Sequence, residues 1–103
     1  MQIIKLLNKP FVGMPATILY HSDRVPATVI KISKNSNKIW IQVDSATRMD
    51  KNGISDSQEY IYERDEGGTI HIATLRKSGT YKVLKSQQSI KLGERNKYYD
   101  YNF

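Results

Sequence analysis

Three arginines, Arg48, Arg64 and Arg76, are the side chains of this sequence best suited to hold a ligand. Each presents a planar fork of donors that matches phosphate oxygens two at a time. Lys77 follows Arg76 and adds a point charge. Trp40, Tyr60, Tyr62 and Tyr98 supply flat faces, and a base stacked on such a face gains about 1–3 kcal/mol. These eight residues are the candidate ligand-binding set, and their chemistry is capture of something anionic that carries phosphate. The arrangement expected is convergence of the arginines at one end of the molecule. The competing arrangement pairs them with Asp44, Asp50, Asp56 or Glu63 on the surface, where each pair is worth about 0–1 kcal/mol.

Catalytic chemistry finds little footing. There are no cysteines, so thiolate zinc sites, disulfides and cysteine nucleophiles are excluded. His21 and His71 lie far apart, and "HSD" at 21–23 reads as a turn, since a Ser-His-Asp triad is defined by spatial geometry and not adjacency. No phosphate-binding P-loop or dinucleotide fingerprint occurs. The stretch "RMDKNGISDSQE" places Asp50, Asn52, Gly53 and Glu59 at EF-hand positions, but Arg48 stands where the first carboxylate must bind the metal. The expectation is a protein that is not an enzyme and holds neither metal nor cofactor.

Charge is unevenly spread. The net +6 divides into +5 for residues 1–43, −4 for 44–66 and +5 for 67–103. A basic surface favours polyanions or an acidic partner protein. At 103 residues the chain makes one domain. The absence of cysteine leans towards a reducing compartment. The start, "MQIIKLLNKPFVGMP", lacks the continuous apolar run of a signal peptide or a membrane span. The expected setting is the cytoplasm, away from membranes.

The elements that must position the candidate residues are strands, because period-two alternation recurs and helical periodicity does not. "ATILY", "PATVIKIS", "KIWIQV", "EYIYE", "TIHIATL", "TYKVL", "SIKLG" and a closing "KYYDYNF" alternate with turn sequences. In the second, Thr28, Ile30 and Ile32 are expected on one face and Val29 and Lys31 on the other. In the third, Ile39, Ile41 and Val43 point inward and Trp40 and Gln42 outward. "RDEGG" reads as a tight hairpin reversal between "EYIYE" and "TIHIATL", and residues 44–57 as a long loop of the kind that is functional or mobile. The sum is an all-β, single-domain barrel of five to seven short antiparallel strands, Src-homology-three-like or Tudor-like. Closure removes strand edges that template aggregation. Residues 1–12 are expected to be an arm or extra strand, and 13–103 the barrel.

Two resemblances bear on function. "PATVIKISKNSNKIWIQVD", within residues 25–44, resembles the Tudor-like and KOW-like small barrels, which implies binding of nucleic acid or a protein partner. "DSATRMDKNGISDSQEYIYERD", "TLRKSGTY" and "GERNKYYDYNF" resemble a family of small, largely uncharacterised bacteriophage and prophage proteins of gut bacteria, from Gly13 onwards. That likeness implies a phage-encoded accessory protein of the host cytoplasm and brings no catalytic residues. The expected function is therefore counter-defence by sequestering a phosphate-bearing ligand, such as a nucleotide immune signal, with a shared oligomeric interface deepening the pocket. The alternative is a barrel that binds nucleic acid or blocks a host defence protein.

Overall fold

The structure is a computed structural model, and it describes residues 9–51, 53 and 58–99. Eight strands are present among them: β1 (Pro15–Leu19), β2 (Arg24–Ile32), β3 (Lys38–Val43), β4 (Ser45–Arg48), β5 (Tyr60–Glu63), β6 (Ile70–Leu75), β7 (Tyr81–Val83) and β8 (Ser89–Leu92). Six of them close into an antiparallel barrel in the order β1-β2-β3-β6-β7-β8, with β8 pairing back onto β1. The other two, β4 and β5, form a separate hairpin inserted between β3 and β6. The all-β barrel expected from alternation is what the chain forms. No helix long and apolar enough to cross a membrane occurs among the described residues.

The core explains the closure. Ile18, Val29, Ile39 and Ile41 are fully buried beside the small side chains of Ala16, Ala27 and Ala73. Ala16 faces Ala27 across β1 and β2, and small residues opposite one another let a narrow barrel taper without voids. Tyr81 lies in the wall with its hydroxyl donating to the carbonyl of Ser36.

Burial raises the Tyr81 pKa above the ordinary tyrosine value. The folded state thus prefers the neutral phenol. Below about pH 10 the phenol is protonated in both states and no pH dependence arises. Above it the unfolded chain releases the proton first, so stability falls as pH rises through the folded pKa. Tyr81→Phe is expected to flatten this alkaline loss in urea titrations at successive pH values, at a neutral-pH cost of about 1 kcal/mol for the lost hydrogen bond.

Several expectations need correction. Val29 and Lys31 do not share a face: Val29 is fully buried and Lys31 exposed. A bulge between Val29 and Lys31 shifts the register, so that Val29 pairs with Ile41, Lys31 with Trp40 and Ile32 with Ile39. An extra residue inserted in one strand changes which side chains share a face, and pattern reading across it fails. "RDEGG" is no hairpin: β5 pairs with β4, and β6 with β3. Neither Gly67 nor Gly68 has positive φ. Part of the expected 44–57 loop is β4. Of the expected closing strand, the described part holds an isolated bridge from Tyr98 to Arg24, and residues 100–103 lie outside the described residues. Residues 1–8 of the expected arm lie outside them too.

Candidate functional site

Where the barrel ends and the hairpin begins, the chain buries a carboxylate. The Asp44 side chain is 0% exposed. It accepts from Arg95 Nε at 2.6 Å and from Thr28 Oγ1 at 2.8 Å, and Arg64 stands 3.7 Å away. Arg95 also donates to Thr28 Oγ1 at 2.9 Å. Beside this cluster, Gln42 donates to the carbonyls of Glu66 and Gly68 and accepts from Arg64 at 3.0 Å. This knot joins β2, β3, the residues before β6 and the segment after β8. These intrachain bonds fasten the four parts to one another.

The expected convergence of the arginines does not occur. Arg48 lies in β4, held by Asp50 at 2.9 Å. Arg64 belongs to the knot. Arg76 follows β6 at the far end, donating to Gln87 Oε1 at 2.7 Å, with Lys77 exposed beside it. Because Arg64 precedes β6 and Arg76 follows it, roughly 17 Å of strand separates them. Antiparallel turns alternate between ends, and two turns flanking one strand cannot share a mouth.

The tyrosines are likewise occupied. Tyr60 and Tyr62 stack with ring centroids 6.3 Å apart. The Tyr62 hydroxyl accepts from the amide of Lys97 at 2.8 Å, and Tyr60 donates to Gln58 Oε1 at 2.7 Å. The Gln58 amide in turn exchanges two hydrogen bonds with the peptide of Tyr99. The inner hairpin face is thereby tied to residues 97–99. Arg24 sits 5.1 Å over the Tyr98 ring. The EF-hand alignment is explained in the same way: Asp50 accepts from Arg48 and from the amide of Glu59 at 2.6 Å, and no metal-ligand cluster occurs among the described residues.

Trp40 is different. Its neighbours Ile39 and Ile41 fill the core, so strand alternation turns the indole to the outer wall. Two cross-strand rows meet there. One runs Lys31, Trp40 and Ile72, with the Leu84 amide bonded to the Ile72 carbonyl. The other runs Lys38, Thr74 and Lys82. Lys31 Nζ lies 4.7 Å from the indole centroid and Lys38 Nζ 6.0 Å. Cation–π attraction of this kind contributes about 0.5–1 kcal/mol at exposed sites. It also gathers positive charge around the indole.

The electrostatics of this face follow from sequence. β2, β3, β6 and β7 contain no Asp or Glu at all. Seven of the ten acidic residues fall between Asp44 and Glu66, in the hairpin and its root. Lys31, Lys38 and Lys82 therefore project from strands that carry no carboxylate of their own. By contrast, a depression of about 280 Å³ between β7 and β8 is lined by Gly79, Thr80, Tyr81, Ile90, Lys91 and Leu92. None of the eight candidate residues borders it.

Of those eight, Trp40 alone lies on this wall. Lys38 could have been found with it, since both occupy the same face of "KIWIQV". Lys31 was hidden by the bulge, and the Asp44–Arg95 pair by its separation along the chain. Comparison with known proteins adds nothing to the geometry: no family model matches the chain, and no curated protein or solved structure is found to be similar to it.

Proposed function

We propose that this protein is a non-enzymatic barrel that binds single-stranded nucleic acid across the outer wall of β2, β3, β6 and β7. Trp40 stacks a base there, and Lys31, Lys38 and Lys82 neutralise phosphates. The observation that carries the reading is the indole flanked by two ammonium groups on strands that carry no carboxylate. Trp40 is half-buried, and stacking on such a wall aromatic needs an unstacked base, which single strands supply and duplexes withhold. The part of the fold shaped to enter a duplex major groove is the β4–β5 ribbon, and its clustered carboxylates would be repelled by phosphate. A nucleotide caged by Arg48, Arg64 and Arg76 has lost its geometric warrant, because those side chains are apart. In the phage setting suggested by the sequence, the partner is a nucleic acid of host or phage in the host cytoplasm, and occupying it is the counter-defence act.

The test is oligonucleotide affinity against salt. Three neutralised phosphates on a single strand give a log–log slope near −2, or about twentyfold weaker binding between 50 and 200 mM salt. Lys82→Ala is expected to flatten the slope by about 0.7. Trp40→Leu keeps apolar cover on the wall and is expected to weaken binding about five- to 100-fold at any salt. Binding unaffected by either substitution overturns the proposal.

A further inference from the structure

The β4–β5 hairpin has one covered face and one open one. Burial alternates strictly along both strands. Ala46, Arg48, Tyr60 and Tyr62 face inward, towards the segment 97–99. Thr47, Ile61 and Glu63 face outward, with Glu59 and Met49 exposed at the strand ends. Ile61 is 51% exposed and Met49 54%. The open face thus has an isoleucine between two glutamates. The barrel wall has the inverse pattern, a tryptophan and Ile72 between lysines. Charge and apolar centres complement one another, and the hairpin's inner attachment turns its open face away from the barrel it springs from.

We infer that the open hairpin face of one copy docks on the Lys31–Trp40–Lys38 wall of a second copy. The two patches differ, so the contact is heterologous and continues head-to-tail. Each is small, and together they bury less than about 1,200 Å², which places the association at the weak, transient end. Its strength rests on opposite charges at a polar rim, so salt screens it. The inference does not depend on nucleic acid, although a bound strand would occupy the same wall.

Sedimentation velocity without nucleic acid tests it. At low salt the weight-average mass is expected to rise from 11.9 kDa with concentration and to pass twice that value without a plateau, as open head-to-tail association requires, and to return to the monomer in high salt. Glu59→Lys/Glu63→Lys and Lys31→Glu/Lys38→Glu are each expected to remain monomeric, and an equimolar mixture of the two to associate again. The second variant brings net charge nearer zero, so general charge repulsion would make it associate more, the opposite of the expected result. Ile61→Thr retains strand propensity and is expected to weaken association at least fivefold. A wild-type chain that stays monomeric at low salt overturns the inference. So does association that survives both charge reversals, which would assign it to another face. Because mass is read without oligonucleotide, failure here leaves the wall's affinity for nucleic acid to its own test.

Discussion

Replacing Arg95 with leucine is expected to lower stability by about 3 kcal/mol, more than any other single change at the knot. The reason is asymmetry of burial. Asp44 is fully buried, whereas the Arg95 side chain is 29% exposed and that of Arg64 41%. With Arg95 gone, the carboxylate keeps one hydroxyl and an arginine at 3.7 Å. A buried charge without close compensation is the costly outcome, exceeding the net worth of the pair itself. With Asp44 changed to Asn instead, both arginines can turn to water, so the cost should be smaller, about 1–2 kcal/mol. Arg64→Leu should cost least, about 1 kcal/mol or less. The double variant Asp44→Asn/Arg95→Leu should be more stable than additivity allows. Urea unfolding of the four variants checks the ordering. Equal losses for Arg95→Leu and Arg64→Leu would show that burial of Asp44 does not govern the knot.

Gly68→Ala is expected to be comparably severe, for a steric reason. A Cβ at Gly68 would sit 2.1 Å from the Val43 carbonyl oxygen and 3.1 Å from that of Asp65. Both are backbone atoms, so no flexible side chain can yield. The chain here also carries the bond from the Val43 amide to the Thr69 carbonyl at 2.9 Å and accepts from Gln42 at Gly68. Relief requires the strands at the hairpin root to separate, at about 2–3 kcal/mol, and the thermal midpoint should drop by about 10 °C or more. Gly67→Ala is the matched control. Its Cβ would meet only the Asp65 carboxylate at 3.5 Å, and its midpoint should barely move.

These two sites show where sequence reading stops. Alternation in "KIWIQV" was enough to put Ile39 and Ile41 inside and Trp40 outside, because strand geometry is local. The barrel class followed from many such strands. The bulge at Val29–Lys31 left no mark in the pattern, and it alone decides that Lys31 reaches Trp40. Gly68 reads as a turn glycine and does close a turn onto the Asp65 carbonyl, but what demands glycine is its close approach to Val43, far back in sequence. Asp44 and Arg95 are 51 residues apart, and only the closed barrel brings them together. Convergence of Arg64 and Arg76 failed for a reason the sequence did contain, since residues that flank one strand stand at its opposite ends.

The account centres on Trp40, which is the sole tryptophan in the chain, so the indole emission reports directly on the proposed binding face. Titrating the protein with a single-stranded oligothymidine at about 50 mM salt should quench and saturate that emission, with reversal as salt is raised. An oligonucleotide that binds while the indole emission stays unchanged, or no binding at all at that salt, would contradict the assignment of this wall as the nucleic-acid site.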